Sequence, residues 1–221
     1  MNFEENKLKH LIRKKERKKY SKEYFKAEYW KEDYLGTTGN QKFSYDDPSH
    51  RKRFFFLADL LQKHFEFDSF IDAGCGLGLL VEIMTLRGIT SHGFDVATAA
   101  FKGANKHIRS CVVVGGIEAV PFSSSCADLV FCSDVLEHVP VFDISLAISE
   151  LVRIASRYIV VTVNLDNPYL YHPTILSRQS WVTLFQLTMA VRQEISLGKK
   201  MQSECKMYHP EYEFFVFKKL L

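Results

Sequence analysis

Phe70-Ile-Asp-Ala-Gly-Cys-Gly-Leu-Gly78 is the stretch on which the fold turns. The apolar run Phe67–Asp72 reads as a strand, and it ends in glycines at 74, 76 and 78, directly ahead of a helical pattern over Leu79–Arg87. Glycines there let the backbone turn tightly where a side chain would block a close ligand. A second strand, Thr90–Asp95, ends in an acid placed 21 residues after Gly74, where a carboxylate can take ribose hydroxyls. Dinucleotide folds use G-x-G-x-x-G so that a pyrophosphate rests on the helix N-terminus. Here the spacing is G-x-G-x-G, and Asp72 stands two residues ahead of the first glycine. A carboxylate at that point repels a pyrophosphate and suits an ammonium. The charge logic favours a nucleoside carrying an amino acid over NAD.

Working outward, short apolar runs alternate with helical patterns. Ala97–His107 reads as a helix, Cys111–Val114 and Asp128–Ser133 as strands, Leu146–Ile154 as a helix and Tyr158–Val163 as a β-branched strand. Ser177 caps a helix with Trp181, Leu184, Phe185 and Met189 on one face. Two strand-like runs follow, Val191–Leu197 and Glu213–Lys218, which brings the strands to seven. Strands separated by helices of about 10 residues require right-handed crossovers and a mostly parallel sheet. Ahead of the sheet, Phe54, Leu57, Ala58, Leu60 and Leu61 carry helical periodicity up to about His64. The expected division is an arm and aromatic helical cap over 1–48 and one α/β domain over 49–221.

Composition narrows the classes. Hydrophobic residues make up 47% of 221 and charged residues 25%, ordinary values for a globular chain. No segment approaches the roughly 18 consecutive apolar residues that cross a bilayer, and the charged N-terminus lacks a signal-peptide apolar region. A cytoplasmic protein with no membrane partner is the expectation. The five cysteines form no C-x-x-C pair, which fits free thiols. Residues 1–20 hold eight Lys or Arg against three Glu, while the rest of the chain is nearly neutral. Such an arm either faces water as a solvated helix or binds a phosphate backbone.

Four stretches together carry a family resemblance. Asp72-Ala-Gly-Cys-Gly-Leu-Gly78 with Gly93-Phe-Asp95 resembles the first two motifs of class I S-adenosylmethionine-dependent methyltransferases. Val114-Gly-Gly-Ile-Glu-Ala-Val-Pro-Phe122 resembles their adenine-flanking loop, and Asp128-Leu-Val-Phe-Cys-Ser-Asp-Val-Leu-Glu-His-Val139 their fourth strand and the turn behind it. The match runs from about Phe67 to Asn164. It implies a Rossmann-like, seven-stranded, mostly parallel sheet with helices on both faces, and S-adenosyl-L-methionine as cofactor. By the same resemblance Asp72 and the backbone of Gly74, Cys75 and Gly76 hold the methionine moiety. Asp95 takes the ribose, Val96 lies against the adenine, and Gly116, Ile117 and Glu118 border its edge while the Ser133 carbonyl faces the amino group. Two departures stand out. Gly116 replaces an Asp common in these enzymes, so a contact to the adenine amine passes to the backbone of Ile117. The usual Pro-Gly-Gly before the fifth strand is replaced by Ile154-Ala-Ser-Arg157.

Candidates for chemistry cluster after the fourth strand. Asp134, Glu137 and His138 fall at i, i+3, i+4, so one helical turn aims all three at one point, and Pro140 stops the turn. His172 lies in the loop after the fifth strand. Three roles are open: Asp134 and Glu137 as structural acceptors of backbone amides, His138 or His172 as general base, or a divalent metal held by Asp134, Glu137, His138 and His172. The acidic-x-x-Glu-His pattern with a later His resembles the metal set of small-RNA 2′-O-ribose methyltransferases and of ubiquinone-pathway O-methyltransferases. The D-V-L-E-H-V form also occurs in relatives that use no metal. Tyr29, Trp30, Tyr169 and Tyr171 are expected to wall the acceptor pocket, and Arg51 and Arg53 either reach an acidic group or serve as surface charges. The leading expectation is methyl transfer to O or N of a small molecule of sugar, quinone or secondary-metabolite type. An RNA methyltransferase using the basic arm, and a non-catalytic binding protein of the same fold, are the alternatives. Nothing in the sequence sets the oligomeric state.

Overall fold

A computed structural model describes residues 48–97, 106–165, 172–206 and 212–220. The basic arm, Tyr29, Trp30, Tyr169 and Tyr171 lie outside the described residues, as does most of the helix expected over 97–107.

The first helix, α1 (Pro48–His64), leads into β1 (Ser69–Ala73), α2 (Leu79–Leu86) and β2 (Thr90–Asp95). A 3₁₀ turn over Lys106–Cys111 precedes the short β3 (Val112–Val114). Then come β4 (Ala127–Ser133), a single 3₁₀ turn at Leu136–His138, α3 (Ile144–Ile154) and β5 (Ala155–Asn164). The chain closes with α4 (Arg178–Gln186), β6 (Val191–Gln193), α5 (Ile195–Cys205) and β7 (Tyr212–Lys219). The seven strands run in the order β3-β2-β1-β4-β5-β7-β6. β1 to β5 are mutually parallel, and β7 pairs antiparallel with both β5 and β6.

Alternation along each buried strand sorts the core onto two faces. Ile71, Val130, Ile159 and Phe215 face α3 and α4, where they meet Ile148, Leu151, Trp181 and Phe185. Their neighbours Phe70, Phe131, Val160 and Phe214 face the opposite way, toward Leu61 on α1, Met84 on α2 and Met201 on α5. A strand buried on both faces reads as an unbroken apolar run, which is why β4 and β5 are legible in sequence. Strand order reverses between β1 and β4, so the loops leaving Ala73, Asp95, Ser133 and Asn164 converge at one edge. Open α/β sheets bind ligands at such a point.

Two expectations need correction. The run Val191–Leu197 is a strand only as far as Gln193, and α5 begins at Ile195. Gly198 disguises that helix in sequence, yet the packing explains it: a Cβ there would sit 3.2 Å from the carbonyl oxygen of Phe214. Glycine lets α5 lie directly on β7. Second, Asp134 does not belong to a helical turn with Glu137 and His138. It sits ahead of the 3₁₀ turn at φ 60, so the three side chains do not share one face.

Candidate active site

The glycine loop is built by close approach. Gly74 has φ +79, and a Cβ on it would lie 2.3 Å from a methyl of Val135. The loop after β1 is therefore pressed against the loop after β4. The amides of Gly74 and Cys75 both donate to the carbonyl of Phe94, at 2.8 and 3.0 Å, which ties the loop to β2. Asp95, at the end of β2, accepts from the amide of Gly76 at 3.0 Å through one oxygen and from that of Ala97 at 2.8 Å through the other. The amide of Val96 also acts on this carboxylate, which leaves about one of its four lone-pair sites for a further donor.

The tip of the sheet is acidic. Asp72 is 6% exposed, and its carboxyl is pushed from 3.8 up to about 7 by burial and then by the charge of Asp95. Asp95 is also raised by burial, against the lowering effect of the amides of Ala97, Gly76 and Val96. The Cys75 thiol is pushed well up by burial and by both carboxylates, so it stays protonated. Among the described residues neither carboxylate is paired with a cation, and such a site repels phosphate.

Gly116 and Ala119 form a small antiparallel bridge beyond β3, and the amide of Gly115 donates to the carbonyl of Asp95 at 2.9 Å. Residues 116–118 thus stand beside the Asp95 position. The Ile117 side chain is buried in the core, so the backbone is what it offers there. Ser133 ends β4 with its hydroxyl 2.7 Å from that of Thr162. Val96 is half-buried next to Asp95. Arg51 stands 3.7 Å from Glu82, and the guanidinium of Arg53 lies over the Phe54 ring at 5.9 Å. These partners belong to helices α1 and α2.

Across from the glycine loop, Asp134, His138 and His172 come together. One ligand atom from each lies within 4.8 Å of the others. The two imidazole rings meet edge to face at 4.7 Å, and His138 Nε2 is 3.9 Å from an Asp134 oxygen. Glu137 lies beneath this group, with its carboxyl hydrogen-bonded to that of Asp134. It is fully buried, and its Oε1 accepts from the amide of Asn164 at 2.8 Å. Burial first, and then the Asp134 charge, hold its carboxyl well above the usual range. Of the four expected ligands, three bring a ligand atom to one point, while Glu137 is bound to Asp134 and to the Asn164 amide. Thr174 completes the arrangement: its amide donates to the carbonyl of Glu137 at 3.2 Å and its hydroxyl to that of Val139 at 2.6 Å. Nothing in the sequence marks Thr174 apart from its place two residues after His172.

The "Methyltransferase domain" family matches residues 71–157, and "Predicted AdoMet-dependent methyltransferase" matches residues 3–104. Over residues 3–157 the chain is thus similar to S-adenosylmethionine-dependent methyltransferases. A ubiquinone biosynthesis O-methyltransferase of Cupriavidus pinatubonensis is 34% identical over 101 residues, 42% of this chain and 41% of that relative. The match therefore spans about two fifths of the relative's length. Among solved structures, magnesium protoporphyrin IX methyltransferase of Synechocystis PCC 6803 with bound SAM superposes at a TM-score of 0.62 and 16% identity. That superposition covers 90% of this chain and 95% of the other. A Pyrococcus horikoshii protein also aligns at 0.62, with 15% identity over 79% of this chain and 93% of its own. Both share the overall fold of this chain.

Proposed function

We propose that the protein transfers a methyl group from S-adenosylmethionine to an oxygen or nitrogen atom of a small molecule. The observation that carries this is the pairing of a buried, cation-deficient tip, Asp72 with Asp95, with the His138–His172 pair across Gly74 and Val135. The residues fit the cofactor. Asp72 suits a positive charge beside it, and Asp95 keeps accepting capacity for a ribose hydroxyl. The backbone of Gly74 to Gly76 would hold the methionine moiety, and residues 116–118 with the Ser133 carbonyl would border the adenine. When bound, the cofactor supplies a methyl group on a sulfonium, an activated electrophile. What this chain must add is orientation, worth up to about 7–11 kcal/mol, and a place for the acceptor's proton. His138 and His172 are the groups to take it, with Asp134 stabilising the imidazolium that results.

The acceptor class follows from the rim. A groove of about 410 Å³ runs between the loop after β4 and α4, lined by Val141, Ile144, Leu176 and Leu184 with Ser177 and Thr183. Its lining starts three residues after His138 and four after His172 in sequence, and it suits an acceptor with an apolar extension. The ubiquinone-pathway relatives favour the same reading, an O-methylation of quinone type.

Asp134, His138 and His172 also support a second arrangement of this site, in which they hold a divalent ion. One carboxylate with two imidazoles suits a borderline ion such as Zn²⁺ or Mn²⁺. Calorimetry with S-adenosylhomocysteine tests the cofactor, and transfer of labelled methyl to a panel of catechols and phenols tests the acceptor. Turnover that falls about 100-fold in both His138→Ala and His172→Ala supports the base, and turnover lost to a chelator and restored by one added metal supports the ion. Absence of any heat with S-adenosylhomocysteine overturns the reading.

A further inference from the structure

The loop after β3 is held at both ends. At its start the amide of Gly115 donates to the Asp95 carbonyl at 2.9 Å. At its far end it is gripped by two side chains of α3. Glu150 Oε2 accepts from the amide of Val120 at 2.7 Å. Arg153 Nη2 donates to the Val120 carbonyl at 3.0 Å, and Nη1 donates to that of Phe122 at 2.8 Å. The two side chains also lock each other: Nε to Oε1 at 2.7 Å and Nη2 to Oε2 at 2.8 Å, the fork-to-fork geometry open to arginine and not to lysine. Accordingly the Glu150 carboxyl is held below its usual range, chiefly by Arg153.

Between the anchors the chain folds back on itself. A Cβ on Gly115 would meet Pro121 Cδ at 2.8 Å, so the gripped end is seated on the start of the loop. Pro121 has no N–H of its own, and the three backbone groups that flank it are the ones the pair takes. The Gly116–Ala119 bridge and the buried Ile117 side chain order the span in between.

We propose that Glu150 and Arg153 are positioning residues for the cofactor's nucleobase: they fix residues 115–122 so that the backbone of Ile117 and Glu118 reads the adenine edge. The assignment rests on the S-adenosylmethionine reading above. With Gly116 in place of an acid, recognition of the base is left to main-chain groups, whose placement is only as good as the clamp that holds them. A misplacement of about 1 Å is enough to lose such discrimination. Neither side chain touches the ligand, so their loss should act on selectivity for the base more than on the fold.

The test compares binding of S-adenosylhomocysteine and S-inosylhomocysteine, whose hypoxanthine reverses the donors and acceptors of the base edge. Wild type should prefer the adenine compound. In Glu150→Gln and Arg153→Lys, affinity for S-adenosylhomocysteine should fall about tenfold while that for S-inosylhomocysteine changes less than about twofold, so the preference collapses. Hydrogen exchange of the 115–122 amides should rise in the same variants, and it serves also for Arg153→Ala. Equal weakening of both compounds, or unchanged preference with the loop freed, overturns the assignment alone. A wild type that binds neither compound overturns the cofactor reading and this one with it.

Discussion

The Thr174 hydroxyl donates to the Val139 carbonyl at 2.6 Å, in full burial. With the Thr174 amide bound to Glu137, this fastens the loop after β5 to the turn after β4 at the two residues on either side of His138. His172 is placed against His138 by that fastening. Thr174→Val keeps the shape and removes the donor, leaving a buried carbonyl unsatisfied at a cost of about 1–3 kcal/mol. Methyl transfer should fall further than stability explains, with kcat reduced and the Kd for S-adenosylhomocysteine unchanged. Chemical denaturation and single-turnover kinetics on the same variant separate the two effects.

Asp72 should make both stability and cofactor binding depend on pH. Its folded value of about 7 stands above 3.8, so the folded chain binds this proton more tightly than the unfolded chain. Stability is then undiminished below about pH 4, declines as pH rises toward 7 and stays reduced above it, by an amount on the order of a few kcal/mol. Asp72→Asn should melt higher than wild type at pH 8, with the difference closing toward pH 4. A ligand ammonium beside Asp72 draws the proton off, so wild type should release protons on binding S-adenosylhomocysteine at pH 6.5 and Asp72→Asn should not. Calorimetry in buffers of different ionisation enthalpy reads that release directly.

Much of this was legible beforehand, because the decisive signals are local. The glycine turn, the acid that ends β2 and the unbroken apolar strands each show their place in the fold within ten residues of sequence. What was hidden depended on contacts between distant segments. Helical spacing set Glu137 beside Asp134 and His138; it does reach Asp134, but the amide of Asn164, far along the chain, also holds it and it stays fully buried. The i, i+3 spacing of Glu150 and Arg153 suggests a surface ion pair, and only the folded chain shows the loop it grips. Helix α5 was masked by Gly198, whose value lies in what it leaves room for on β7.

Gly74→Ala should damage the site in two separable ways. The new methyl would overlap Val135, and φ +79 carries strain of about 1–2 kcal/mol for any L residue. Adding Val135→Ala should relieve the overlap and recover part of the lost stability, leaving the backbone strain. Cofactor binding should recover only to the same partial extent. Additive losses in the double variant, measured as a thermodynamic cycle, would show that the two loops do not press on each other.

At the opposite end of the sheet, Asp128 sets the start of three strands. One of its oxygens accepts from the amides of Asp68 and Ser69 and from the Ser69 hydroxyl, at 3.0, 3.1 and 2.9 Å. The other accepts from the Ser156 hydroxyl at 3.2 Å. Burial raises this carboxyl, but the donors from Asp68, Ser69 and Ser156 outweigh it and the net shift is downward. A lowered folded value means that the contribution is present above about pH 4 and is lost as pH falls through the folded value. Asp128→Ala should therefore cost about 1–3 kcal/mol at pH 7 and progressively less in acid. Because the residue is a sheet's length from Asp72 and Asp95, the cofactor affinity of the folded variant should match wild type. Denaturant curves at pH 7 and pH 3, set beside binding at pH 7, check both halves: a pH-independent loss would show that the ionised carboxylate is not what joins β1, β4 and β5.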